Sequence, residues 1–188
     1  MEAFLVSLST ITVAEIGDRT QLLSLVLVAR YRRPLPIVAG ILCATLASHA
    51  AAGFIGLWFG HLLSPTIMEI MVGASMIVMA LWMLKPDKWD DEHAPHGAAG
   101  AFIATLTSFF IAEIGDKTQI ATVALAAAYP NLLAVIAGTT LGMLAANVPV
   151  VLLGKAFADR LPLQTIHYVA SALFIVVGGV FLWRALWR

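Results

Sequence analysis

Two short stretches of the chain carry residues able to do chemistry. Residues 14–21 read A-E-I-G-D-R-T-Q and residues 112–119 read A-E-I-G-D-K-T-Q, so Glu15 and Asp18 are matched by Glu113 and Asp116. Carboxylates bind hard cations such as Mg²⁺, Ca²⁺ and Mn²⁺, and they also carry protons. Thr20, Gln21, Thr118 and Gln119 add neutral oxygens in the following turn, and Ser108 adds a hydroxyl about one turn before the second motif. A spacing of three residues would put the two acids of each motif on one helical face. Gly17 and Gly115 lie between them and read either as sites of close helix packing or as local breaks that free carbonyl oxygens for coordination.

Arg19 and Lys117 follow the two aspartates and are expected to turn off the carboxylate face. They either compensate charge within the site or form ion pairs that hold the fold. If they compensate, the four acids and two cations leave a formal charge of −2. One divalent ion or two protons would neutralise it, so metal and protons would compete for one site. The single Cys43 excludes an internal disulfide and a cysteine-based zinc site, and no His lies within either motif, which disfavours Zn²⁺ and copper.

The elements that position these residues are apolar. Of 188 residues, 61% are hydrophobic and 12% charged, and the mean hydropathy is +0.92. Soluble domains carry roughly 45–50% apolar and about 25% charged residues. A spanning helix needs about 20 apolar residues, and six stretches qualify: 3–29, 37–61, 66–84, 101–128, 132–158 and 163–187. Both motifs then fall at the middle of a span, where a charge costs at least about 2.5–3.5 kcal/mol. Little chain remains for a soluble domain, the net charge of zero points away from nucleic acid, and no cofactor or enzymatic nucleophile stands out. The N-terminus lacks the basic region of a signal peptide, so the first segment is expected to be retained.

The motif repeat is the core of a larger one. An offset of 98 residues also pairs Tyr31 with Tyr129, Ala39-Gly40 with Ala137-Gly138 and Gly56 with Gly154. The expected fold is all-α and integral to the membrane, with residues 1–84 and 101–188 as three-helix repeats joined by a polar linker at 85–100. Three spans per repeat is an odd number, so the second repeat enters from the opposite side. The result is six transmembrane helices as two inverted repeats, with the four acids gathered at the midplane.

Basic residues set the orientation. Arg30, Arg32, Arg33, Lys85, Lys88, Lys155 and Arg160 fall on one side, against Arg184 and Arg188 on the other, seven against two. The first side is therefore cytoplasmic, with both termini outside. The linker residues Asp90, Asp91, Glu92, His93 and His96 read as a solvated connector or a weak metal sensor. Ser48 and His49 in the second span and Asn147 in the fifth, the repeat partner of His49, could line a pathway or bond between helices. Glu69, His61 and His167 are expected at the membrane interface, and Trp58, Trp82, Trp89, Trp183 and Trp187 as an aromatic belt.

The twin E-x-G-D-(K/R)-T motifs resemble those of a family of small cation/proton exchangers. That family includes the eukaryotic Golgi manganese/calcium transporters and the bacterial manganese exporters of the MneA type. The resemblance covers nearly the whole chain, and both motifs are intact. It implies exchange of Mn²⁺ or Ca²⁺ for protons, with Glu15, Asp18, Glu113 and Asp116 as the motif acids. It also implies a bacterial inner-membrane protein, since no targeting extension precedes the first span. A metal or proton channel, or an exporter of small organic cations, would use the same acids differently.

Overall fold

The computed structural model describes residues 1–84, 100–154 and 163–187. Among these are eight helices and no strand: α1 (Glu2–Glu15), α2 (Arg19–Tyr31), α3 (Pro34–Leu62), α4 (Pro65–Met83), α5 (Ala101–Glu113), α6 (Lys117–Ala128), α7 (Leu132–Leu153) and α8 (Leu163–Leu186). Four of them, α3, α4, α7 and α8, contain stretches long and apolar enough to cross a membrane. The linker residues 85–99, with Asp90, Asp91, Glu92, His93, His96, Lys85, Lys88 and Trp89, lie outside the described residues, as do Lys155, Arg160, Arg188 and the side chain of His167.

The expected spans at 3–29 and 101–128 are each interrupted. Their place is taken by α1 and α2, of 14 and 13 residues, and by α5 and α6, of 13 and 12 residues. None of these alone reaches the roughly 20 residues that a bilayer requires. The interruptions fall at Ile16–Asp18 and Ile114–Asp116, inside the two motifs.

Local sequence explains the other boundaries. Pro34 and Pro65 open α3 and α4, positions where the missing N–H costs nothing. Ser64 caps α4, its hydroxyl accepting from the Ile67 N–H at 3.4 Å, and Asn131 caps α7 by accepting from the Ala134 N–H at 3.0 Å.

Packing repeats along with sequence. Helix α1 lies against α7, and its repeat counterpart α5 lies against α3. Both contacts close over a glycine. A Cβ added at Gly138 of α7 would stand 2.6 Å from the Phe4 carbonyl oxygen and 2.9 Å from Ser7 Cβ. One at Gly40 of α3 would stand 2.9 Å from the Phe102 carbonyl oxygen and 2.7 Å from Thr105 Cβ. Each residue of the first contact is the 98-residue counterpart of one in the second. With no hydrophobic force between helices in lipid, such small-residue contacts let backbones approach and gain dispersion energy.

The polarity of the molecule is inverted relative to a soluble domain. Leu5, Phe54, Ile55, Val78 and Val176 are each about half exposed or more, while Glu15, Asp18, Glu113, Asp116 and Lys117 are buried. Glu69, in the first turns of α4, is only 6% exposed and packs within the helical body. Trp58, Trp82, Trp183 and Trp187 are on the outer surface, and Trp183 stacks on Trp187 at 5.2 Å between centroids.

Candidate metal centre

The two motifs fold alike. Each first half-helix ends on its glutamate: Glu15 is the last residue of α1, and Glu113 the last of α5. The isoleucine that follows turns extended, with ψ 120° at Ile16 and 116° at Ile114. Gly17 and Gly115 then adopt φ of 85° and 74°, a region that L side chains enter only at a cost. Asp18 and Asp116 are the N-caps of α2 and α6. Gln21 and Gln119 complete each turn, their Oε1 atoms accepting from the Gly17 and Gly115 N–H groups, both at 2.9 Å.

The expectation that each Glu/Asp pair shares one face of a continuous helix is therefore corrected. The helix stops at the glutamate, and the aspartate starts the next one. The acids come together because the breaks themselves meet. Two helix C-termini and two N-termini converge there, ends that carry partial negative and positive charge respectively.

Glu15, Asp18 and Asp116 each place a carboxylate oxygen such that all three lie within 4.8 Å of one another. Glu113 does not join that group. Its Oε1 accepts instead from the Thr45 hydroxyl of α3 at 2.7 Å. The second oxygens of Glu15 and Glu113 are buried without a hydrogen-bond partner among the described residues, which leaves acceptor capacity at the centre.

The two cations turn towards the acids, not off their face. Arg19 Nη2 stands 2.8 Å from Asp116 Oδ1, and Lys117 Nζ stands 3.1 Å from Asp18 Oδ1. The pairs cross, so each repeat's cation meets the other repeat's aspartate. These are ion pairs between the repeats, and charge compensation, the other reading of the sequence, would use the same contacts.

The supporting residues divide. Thr20 donates its hydroxyl to Glu15 Oε1. Its counterpart Thr118 donates to its own Asp116 at 2.9 Å. Gln21 Nε2 donates to the Ala146 carbonyl at 3.0 Å, and Gln119 Nε2 to the Ser48 hydroxyl at 3.2 Å. Ser24 donates to Asn147 Oδ1 at 2.9 Å, so Asn147 is an interhelical hydrogen-bonding residue. His49, fully buried on α3, has no partner for either ring nitrogen among the described residues. Ser108 is half-buried on α5 and takes no part in these bonds.

Thr45 and Ser24 were not foreseen. Ser24 has a polar counterpart in Thr122, a signal that was available. Thr45 has Met143 as its counterpart, so comparing the repeats hides it.

Apolar helices enclosing a buried acidic cluster at two helix breaks define a multi-pass membrane protein whose centre offers carboxylate oxygens able to hold a cation. The model of the family described as "Divalent cation/proton antiporter GDT1" matches the chain at residues 3–91 and again at 101–187. The chain belongs to this family of divalent cation/proton antiporters. It is 51% identical over 179 residues to a Vibrio cholerae protein named "Putative manganese exporter", covering 95% of this chain and 89% of that one. It is 31% identical over 204 residues to a GDT1-like protein of Synechocystis, covering 97% and 98%. It is 24% identical over 238 residues to the divalent cation/proton antiporter GDT1 of Saccharomyces cerevisiae, covering 98% and 85%. The Vibrio and yeast relatives are named for transport and not for catalysis. No solved structure matches the chain.

Proposed function

We propose that the chain is a secondary transporter that exports a divalent metal cation, Mn²⁺ in preference to Ca²⁺, in exchange for protons. The observation that carries this reading is the convergence of Glu15, Asp18 and Asp116 oxygens within 4.8 Å at the meeting of two broken helices. Three carboxylates make an all-oxygen donor set, suited to hard cations. The Vibrio relative's name supports Mn²⁺ as the first candidate.

In this reading the repeats 1–84 and 101–188 form six spans of inverted topology, with α1–α2 and α5–α6 each acting as one broken span. The protein sits in a bacterial inner membrane with both termini outside, and its linker 85–100 is cytoplasmic. The metal enters from the cytoplasm and is held by Glu15, Asp18 and Asp116, with Glu113 as the fourth acid. Arg19 and Lys117 reduce the formal charge of the four acids to −2, which one divalent ion or two protons neutralise. Rocking of one repeat against the other opens the site outward, and incoming protons displace the metal. Ser48, His49 and Asn147 line the route by which ions or protons reach it.

The test uses purified protein in liposomes that contain a pH-sensitive dye, challenged in turn with Mn²⁺, Ca²⁺ and Mg²⁺. The reading expects proton movement coupled to Mn²⁺ and abolished by Glu15→Gln. Metal flux without proton movement would indicate a channel. Failure to move any metal would favour export of small organic cations.

A further inference from the structure

The two repeats share a motif but not the partners of their glutamates. Glu15 is met by Thr20, a residue of its own motif. Glu113 is met by Thr45, which lies on α3 of the other repeat, 2.7 Å away, with Ser48 of the same helix as a second hydrogen-bonding neighbour. Thr118, the counterpart of Thr20, is engaged with Asp116 instead, at 2.9 Å. The counterpart of Thr45 is Met143, which has no hydroxyl to offer Glu15. Helix α3 also holds the second break at a further point, since Gln119 donates to Ser48 at 3.2 Å. On the opposite side Gln21 reaches only the Ala146 backbone carbonyl.

The position of Glu113 follows from these contacts with α3, of which the Thr45 bond is the well-formed one. Three carboxylates have gathered, and the fourth, equally buried, is held outside the group with its Oε2 unpartnered among the described residues. We propose that Thr45 is a positioning residue that parks Glu113 away from the metal-coordinating group and releases it when the ion binds. The inference rests on the exporter reading above and adds to it a sequence of events. The ion first meets Glu15, Asp18 and Asp116. Glu113 then exchanges its hydrogen bond from Thr45 for the ion. The lost bond is one between repeats, so occupancy of the site loosens α3 from α5. A cation therefore weakens the contact that must part when the halves rearrange, and an empty site restores it.

This parking has a direction that a purely structural contact lacks. The Thr45 bond competes with the ion for Glu113, so removing the donor must strengthen metal binding. Valine has nearly the shape of threonine and cannot donate. Mn²⁺ titrated into detergent-purified Thr45→Val protein is expected to bind about fivefold tighter than to the wild type, the fold-change equivalent to one ordinary hydrogen bond. In liposomes the KM for Mn²⁺ falls by a similar factor and kcat does not rise. Thr45→Ser returns both values to those of the wild type, and in a Glu113→Gln background Thr45→Val has no effect on binding. Thr45→Ala serves in the same titrations if Thr45→Val does not fold. Unchanged or weaker Mn²⁺ binding by the hydroxyl-free variant, or an effect that persists in Glu113→Gln, would overturn the proposal. Absence of Mn²⁺ transport by the wild type would instead remove the exporter reading on which it rests.

Discussion

Lys117, only 1% exposed, holds its ammonium 3.1 Å from Asp18 Oδ1 across the boundary between the two repeats. The mirror contact, Arg19 with Asp116, is shorter at 2.8 Å but leaves the Arg19 side chain 39% exposed. Equivalent residues therefore work in unequal surroundings. Removing either cation strands a buried aspartate, and where the pair is enclosed on both sides the cost is about 3–5 kcal/mol; only the Lys117 pair is so enclosed. Lys117→Met is expected to lower stability in detergent by more than Arg19→Ala, read from thermal unfolding. Equal losses would show that the crossing pairs are energetically alike.

The helix breaks depend on two glycines. Gly17 and Gly115 sit at φ of 85° and 74°, and nothing lies within 4 Å of a Cβ built on Gly115. A side chain at Gly115 is therefore opposed by backbone conformation alone, at about 1–2 kcal/mol. Gly115→Ala should lower the unfolding free energy by that amount, and Gly115→Asn by less, since asparagine tolerates the left-handed region. If alanine and asparagine were equally harmless, the second break would not need its positive φ.

The matched contacts of Gly40 and Gly138 make a further expectation. Each glycine lets a half-helix approach a long helix so closely that a Cβ would stand under 3.0 Å from backbone oxygen. Gly138→Val overpacks the α1–α7 contact, for which about 1–3 kcal/mol is typical. Because α1 ends on Glu15, its displacement should also weaken Mn²⁺ binding, measured by titration of the detergent-solubilised protein. A loss of stability with Mn²⁺ affinity retained would mean that α1 does not transmit its position to the site.

Much of this organisation is legible in the sequence, and the reasons differ by residue. The motif acids stand out because four carboxylates within apolar segments demand an explanation, and the repeat doubles the signal. The breaks were only half legible. Gly17 between two acids permits an interruption, but the apolar runs on either side read equally well as a continuous helix, and so the shared-face argument failed. The crossing of Arg19 and Lys117 could not be read at all, because each lies beside its own aspartate in sequence and only the meeting of the repeats shows which one it reaches. Thr45 carries no repeat signal, since its counterpart is Met143. That Glu69 is buried was not legible, because its nearness to the start of α4 says where it lies along the helix and only packing says which way it faces.

The most direct test of the central claim is the binding of Mn²⁺ itself. The wild-type protein, purified in detergent and freed of metal, is titrated with Mn²⁺ and the free ion is followed by its electron paramagnetic resonance signal. The account predicts one tight site per chain, with affinity reduced at least about tenfold in each of Glu15→Gln, Asp18→Asn and Asp116→Asn, since each removes one charged ligand. Binding that is unchanged in all three variants would contradict it, because the ion would then sit somewhere other than the meeting point of the broken helices.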